Sequence, residues 1–352
     1  MQHRKTPVHE SIYVIGAGFS AGLGYPLTSN LLVRLWGVLD VHLQEQLTRV
    51  IAFHHPGFTP DTFTSFPNVE QLLSEMLVNE ELFHASRQYE GKFTKETLRR
   101  LQRDLLLSIT DWFHELSKRV KPNNPEATWL RTFRERVRKE NAAIISFNWD
   151  LILDELLFGS ELDKASYGFT RPLGGTPVLL KPHGSLNWFE HEQGQHLVGS
   201  KRILLHRTKR PRGGGNAIYA FREFRAPVSS AGRRYTPLIV PPIHLKRFEK
   251  PVFRALWRNC TSLLSTAKTV TFLGYSMPSA DLHAQFIIRC GFNNQVQGEL
   301  LEGGRAKPTG AAIVTIVNPD GAAAKRIAQV VGPDSPCKWI STPAAEWLTT
   351  RA

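Results

Sequence analysis

A transition from an apolar strand to a glycine-rich turn near the N-terminus constrains this chain more than any other feature. Residues 11–15 read Ser-Ile-Tyr-Val-Ile, and the turn that follows carries Gly16, Gly18, Gly22 and Gly24. Glycines let a backbone bend tightly and approach a ligand closely, and a helix beginning there would direct free N–H groups at an anion. The stretch predicts a pyrophosphate-binding loop. Such turns also occur for packing reasons, and the spacing departs from the Gly-x-Gly-x-x-Gly dinucleotide fingerprint.

Two further apolar segments end in polar residues. Residues 144–147 lead into Asn148 and Asp150, and residues 179–182 lead into His183. An asparagine can fix a water or a hydroxyl without introducing charge, and an imidazole can accept a proton near neutral pH. These side chains therefore suit the positioning of a nucleophile and the transfer of its proton. Taken singly, each is also an ordinary turn former.

In their order along the chain, these motifs resemble those of the Sir2 (sirtuin-like) family. The Gly-Ala-Gly-Phe-Ser sequence at 16–20 resembles the family's NAD-binding loop, Asn-x-Asp at 148–150 its Asn-x-Asp motif, and His-Gly at 183–184 its catalytic His-Gly. Residues 272–276 resemble its late Gly-x-Ser loop. Residues 317–319 resemble the strand end whose asparagine holds the adenosine ribose. The resemblance spans residues 11–320, nearly the whole chain.

The resemblance implies a role for each matching residue. Asn148 and His183 would be catalytic. The NAD-contacting residues would be Gly16, Ala17, Gly18, Phe19, Ser20, Pro26, Asp150, Gly274, Ser276 and Asn318. Among these, Asp150 would contact the nicotinamide carboxamide, and Ser20 would help the glycine amides to hold the pyrophosphate.

Departures from the deacylase branch of the family narrow the activity expected of this chain. The three cysteines, Cys260, Cys290 and Cys337, are too few for the four-thiolate zinc module of that branch, so no metal is expected. Phe147 stands where deacylases usually carry Gln, and the segment 26–30 lacks their Phe-Arg. These features resemble the bacterial Sir2-like proteins of antiphage defence systems, which hydrolyse NAD+.

Alternating strand and helix patterns predict an α/β fold, a Rossmann-like parallel sheet with helices on both faces. We expect one domain over 1–352, with a helical insertion at about 30–140 and a basic irregular segment at about 190–236. Leucines between 31 and 47 recur at helical spacing and predict one long helix, and residues 237–242 predict a short strand.

The chain has 44 Lys and Arg against 31 Asp and Glu, a net charge of +13. Part of this excess lies in the segment from Lys201 to Arg234, which predicts a basic hairpin or loop. This segment is either a solvated surface loop or a surface that contacts a partner or nucleic acid. Few cysteines, the absence of long apolar runs and an N-terminus without a leader pattern predict a cytoplasmic protein without membrane contact.

The resemblance thus implies an NAD+ hydrolase that produces ADP-ribose and nicotinamide as the effector of a bacterial antiphage system. The resemblance implies that a homo-oligomer or a separate activator restrains the activity, such as a HerA-type ATPase or a short Argonaute, whose nucleic acid would then lie nearby. The chain has no Walker A motif of its own. Two alternatives stay open: an NAD-dependent protein deacylase or ADP-ribosyltransferase, and a non-catalytic NAD- or ADP-ribose-binding module.

Overall fold

A computed structural model gives the structure of most of the chain. It describes residues 9–82, 94–119, 127–170, 176–192, 197–198, 202–209, 215–222, 228–229, 235–240, 250–279, 281–301 and 304–350. Within them the strands are β1 (Ser11–Ile15), β2 (Ala143–Ser146), β3 (Val178–Leu180), β4 (Trp188–Glu192), β5 (Leu197–Val198), β6 (Arg202–Lys209), β7 (Gly215–Phe221), β8 (Val228–Ser229), β9 (Thr269–Leu273), β10 (Leu300–Leu301), β11 (Gly304–Arg305), β12 (Ile313–Val317) and β13 (Cys337–Ile340).

The main sheet has six strands in the order β3-β2-β1-β9-β12-β13, and every neighbouring pair is parallel. Renumbered within this sheet, the order is 3-2-1-4-5-6, which is that of a doubly wound nucleotide-binding fold. Side chains of a strand alternate between its faces, and successive residues Ile12, Tyr13, Val14 and Ile15 are all buried. Both faces of the central strand are therefore covered, and the predicted α/β class is confirmed.

The helices surround this sheet, and α2 to α6 all fall between β1 and β2 in the sequence. Their bounds are α1 (Ala17–Ala21), α2 (Leu31–Trp36), α3 (Val41–His54), α4 (Val69–Leu82), α5 (Lys95–Arg119), α6 (Thr128–Lys139), α7 (Ile152–Leu157), α8 (Pro251–Thr266), α9 (Leu282–Gln297), α10 (Gly321–Val331) and α11 (Ala344–Thr349). Single 3₁₀ turns occupy Thr28–Asn30, Phe63–Ser65 and Gly159–Glu161.

The single long helix predicted over the leucines at 31–47 is wrong, because the chain forms α2 and α3 there. Gly37 follows the last residue of α2, and the Asp40 carboxylate caps α3 by accepting a hydrogen bond from the Leu43 amide at 2.9 Å. Glycine is a poor helix former and aspartate a preferred N-cap. These two residues therefore outweigh the continuous leucine spacing.

The basic segment at about 190–236 is more regular in its described part than the irregular chain predicted there, and β6 and β7 form the hairpin that was one of its two predicted forms. In its described part, β4, β7 and β6 form a three-stranded antiparallel sheet. Leu205, Ile218 and Phe221 are buried, so apolar packing organises strands whose Arg202 and Arg207 remain exposed. The predicted basic residues that lie outside the described residues are Lys201, Arg210, Arg212, Arg225, Arg233 and Arg234.

The short strand predicted at 237–242 does not form over its described part, residues 237–240, which makes one isolated bridge, between Ile239 and Gly184. It lies beside the His183 turn. The Val240 amide donates to the His183 carbonyl at 2.8 Å, and the Ser185 amide donates to the Leu238 carbonyl at 3.2 Å. The segment thus braces that turn.

None of the helices in the described ranges combines the length and the apolar character needed to span a bilayer.

Candidate functional site

The five motifs singled out in the sequence lie at the ends of strands of the main sheet or just beyond them. The residues that directly follow β1, β2, β3, β9 and β12 are Gly16, Phe147, Lys181, Gly274 and Asn318. The strands are parallel, so all five motifs meet at one edge of the sheet. The chain leaves β1 toward β2 and β3 and later returns to β9 on the other side of β1. This reversal of strand order creates a crevice at the carboxyl ends of β1 and β9.

Two glycine loops cross in contact at this reversal. The Gly18 amide donates to the Gly274 carbonyl at 2.9 Å. A Cβ on Gly18 would lie 2.8 Å from the Gly274 Cα, and a Cβ on Gly274, where φ is +60°, would lie 2.4 Å from the Gly18 carbonyl carbon. A Cβ on Gly16 would lie 2.5 Å from the Tyr275 Cα. Glycine is therefore required at these positions for backbone packing, whatever ligand the loops hold.

A cavity at this edge gathers eight of the twelve predicted site residues: Gly16, Ala17, Ser20, Pro26, Asn148, Asp150, His183 and Ser276. Gly18, Phe19, Gly274 and Asn318 are not among its lining residues. The Phe19 ring is fully buried against Trp129 and Phe133. The Asn318 side chain donates to the Tyr275 carbonyl at 2.9 Å and accepts from the Asp320 amide at 2.9 Å. NAD contacts by these residues stay a prediction.

Asn148, Ser20 and Asp150 form one hydrogen-bonded chain. The Asn148 Nδ2 donates to the Gly16 carbonyl and to the Ser20 hydroxyl, both at 3.0 Å. The Ser20 hydroxyl donates to the Asp150 carboxyl at 2.7 Å. The loop after β2 is thereby tied to the loop after β1. The Ser20 hydroxyl, predicted to hold a pyrophosphate, is engaged within the protein in this arrangement.

Burial raises the pKa of the Asp150 carboxyl, because a charge is poorly solvated there. The positive charge of Lys181 and hydrogen bonds from the Ser20 hydroxyl and the Ile152 amide oppose the shift. Lys181 is itself buried, and its Nζ donates to the Asp150 carbonyl at 2.6 Å and to the Asp154 carboxylate at 3.0 Å. The ammonium group thus links the ends of β2 and β3 beneath the cavity.

His183 lies in a turn that only glycine can complete. Gly184 has φ +78°, and a Cβ there would lie 2.1 Å from the Leu238 carbonyl oxygen. The His183 ring packs edge-on to Phe147, with ring centroids 4.9 Å apart. Its Nε2 lies 3.0 Å from a carboxylate oxygen of Asp281, and both side chains are almost fully buried. This separation is short enough for an ion pair when the imidazole is protonated.

Sequence reasoning missed several residues of the cavity. Asp281 caps α9 through its other oxygen, which accepts from the Ala284 amide at 3.2 Å. Its position at a helix start predicts this cap but not its contact with His183. Glu70 and Phe113 reach the cavity from α4 and α5, whose apolar spacing predicts core packing. Tyr275 lies between two residues of the Gly-x-Ser motif, so that motif could have pointed to it.

The described residues contain no group of three or more His, Cys, Asp or Glu side chains arranged to hold a metal ion. Cys260 is buried, Cys290 half-buried and Cys337 exposed, and all three are free thiols.

No protein-family model matches the chain, and no curated protein sequence matches it. Among solved structures, it is similar to a Sir2 homologue in complex with NAD, at 14% identity over 97% of this chain and 86% of that chain, with a TM-score of 0.44. It is also similar to a Sir2 homologue variant in complex with ADP-ribose, at 13% identity over 99% and 94% of the two chains, with a TM-score of 0.43. A third similar structure is Sir2 with an inhibitor, 2′-O-acetyl-ADP-ribose and a deacetylated peptide, at 14% identity over 97% and 91%, with a TM-score of 0.39.

Proposed function

We propose that this chain hydrolyses NAD+ to ADP-ribose and nicotinamide. One observation carries the proposal: Asn148, His183 and the loop after β1 line a single cavity at the strand-order reversal of a doubly wound sheet. That crevice is where such sheets bind nucleotides. The resemblance of the motifs to those of Sir2-like NAD+ hydrolases supports the choice of substrate.

The reaction breaks the bond between the nicotinamide nitrogen and the ribose carbon. The electron pair leaves with neutral nicotinamide, a water oxygen bonds to the ribose carbon, and the water gives up a proton. The His183 imidazole lines the cavity and can accept this proton. The hydrogen bonds that Asn148 makes to Gly16 and Ser20 both use Nδ2, so its Oδ1 can orient the water or a ribose hydroxyl.

The negative charge of the cavity supports NAD+ rather than NADH as the substrate. Glu70, Asp150 and Asp281 line it, whereas no Lys or Arg does within the described part of the chain. Carboxylates attract the positively charged nicotinamide ring of NAD+ and gain nothing from the neutral ring of NADH.

The test is product analysis by chromatography after incubation of the purified chain with NAD+, alone and with candidate activators. The expected products are nicotinamide and ADP-ribose in equal amounts, without any acylated peptide. Nicotinamide release that requires an acyl-lysine peptide and yields O-acyl-ADP-ribose would instead establish the deacylase alternative. Tight NAD+ binding without turnover under every condition would favour the non-catalytic module.

Replacing Asp281 with Asn is expected to lower kcat by about 10²-fold while KM changes little. The substitution removes the negative charge beside His183 but retains a good N-cap for α9. A merely structural role would instead lower the melting temperature along with kcat. Steady-state kinetics and thermal melting, measured on the same preparations, check this; near-normal kcat in the folded variant would contradict the role of Asp281.

The activity would serve as a cytoplasmic antiphage effector, held in check as a homo-oligomer or by a separate activator of the HerA-type ATPase or short Argonaute class. The exposed Arg202 and Arg207 on β6 offer positive charge for such a partner or its nucleic acid. Light scattering and NAD+ turnover, measured over a range of partner concentrations, test this arrangement. Full turnover by an isolated monomer would contradict it.

A further inference from the structure

Tyr275 occupies a fixed position on the cavity wall. It follows Gly274, its carbonyl accepts from the Asn318 side chain at 2.9 Å, and only 4% of its surface is exposed. Its ring stacks on Phe147, with centroids 4.6 Å apart and planes 13° from parallel. Phe147 also contacts His183, so the tyrosine and the histidine belong to the same wall.

The hydroxyl of Tyr275 is buried and has no hydrogen-bond partner among the described residues. Other buried tyrosine hydroxyls have one: Tyr13 donates to Glu140 at 2.8 Å, and Tyr167 donates to Asp154. Burial raises the pKa of Tyr275, and the negative charges of Asp281 and Glu70 raise it further. Tyr275 and both carboxyl groups line the same cavity, and the raised pKa keeps the hydroxyl protonated as a donor.

A purely structural role does not account for this hydroxyl. Phenylalanine would stack on Phe147 equally well, and a buried hydroxyl without a partner lowers the stability of the folded protein. A polar group that is unfavourable in the free protein and belongs to a residue of a cavity wall is typical of a ligand contact that forms on binding.

We propose that the Tyr275 hydroxyl donates a hydrogen bond to an oxygen of the nicotinamide riboside half of bound NAD+. This assignment rests on the proposed function, and it places the contact on that half because Phe147 joins Tyr275 to the proton-accepting His183. Tyr275 is then a substrate-binding residue, outside the glycine and serine contacts that the motif resemblance implies.

Tyr275→Phe tests the assignment by a binding measurement, which does not require an activator of turnover. The probe is a carbocyclic NAD+ analogue with a methylene in place of the ring oxygen next to nicotinamide, which prevents hydrolysis. Calorimetric titration is expected to show affinity about 3–10-fold weaker than that of the wild type. The melting temperature of the free variant should be unchanged or higher, because no internal hydrogen bond is lost.

Tyr13→Phe is the matched control, because it removes a hydroxyl that bonds to Glu140 away from the cavity. It should lower the melting temperature and leave the affinity unchanged. Equal affinity of Tyr275→Phe and the wild type would overturn the assignment, as would a variant whose weaker binding comes with a lower melting temperature. Failure of the wild type to bind the analogue would overturn the proposed function itself, which keeps the two failures distinct.

Discussion

Asn148→Ala and His183→Ala are each expected to lower NAD+ turnover by about 10²–10⁴-fold while the protein remains folded. His183→Ala removes the group placed to accept the proton of the attacking water. Asn148→Ala removes an acceptor placed to orient that water, together with hydrogen bonds to Gly16 and Ser20. Each lost bond costs about 1 kcal/mol of stability, too little to explain a loss of that size. Turnover under activating conditions and circular dichroism, measured on the same preparations, separate chemistry from folding.

Asn259→Ala and His42→Ala provide matched controls. Asn259 donates to the Gly168 carbonyl at 3.1 Å and does not line the cavity, and His42 is an exposed residue of α3. Both control variants should retain turnover within about twofold of the wild type, since neither changes a group at the cavity. If Asn148→Ala or His183→Ala performed like these controls, the role assigned to that residue would be wrong.

The sheet and its edge could be predicted because their signals are local. Each apolar run that ends in a glycine, asparagine or histidine turn describes one strand and the loop after it. Parallel strands then bring those loops together without further information. This is why Gly16, Asn148 and His183 could be expected at one site before any contact was known.

The partners of those residues could not be predicted, because they depend on contacts between distant segments. Asp281 follows His183 by nearly a hundred residues, and its local pattern indicates only a helix cap. Glu70 belongs to a helix whose apolar residues predict core packing, yet its carboxyl reaches the cavity. In the same way, the basic residues of β6 predict a solvated segment, whereas its Leu205 is buried. Periodicity indicates a buried face, but it does not identify the surface against which that face packs.

The second large effect concerns Lys181, whose sequence position before His183 suggested no role. Its ammonium group is buried against the Asp154 carboxylate at 3.0 Å and also donates to the Ser185 hydroxyl at 2.7 Å. Breaking a buried ion pair leaves an uncompensated charge and costs about 3–5 kcal/mol. Lys181→Met should therefore lower the free energy of unfolding by this amount, as measured by urea titration followed by tryptophan fluorescence.

A second variant separates the charge from the hydrogen bonds. Lys181→Met combined with Asp154→Asn removes both charges and keeps an acceptor for the Tyr167 hydroxyl, which donates to Asp154. Most of the lost stability should return in this double variant, since isolated burial of a carboxylate is the main cost. If the double variant were as unstable as Lys181→Met, the stabilisation would come from the ammonium hydrogen bonds to the Asp150 carbonyl and to Ser185.

Lys268→Met is the control for loss of a lysine ion pair. Lys268 lies 2.6 Å from Glu10, but the two side chains are 70% and 54% exposed. Exposed pairs contribute about 0–1 kcal/mol, so this variant should unfold at nearly the same urea concentration as the wild type. The contrast between the two lysines follows from burial, because both make a short contact with a carboxylate. Since the Lys181 ammonium joins the loop after β2 to the loop after β3, its loss should also displace Asn148 relative to His183 and lower turnover in the variants that remain folded.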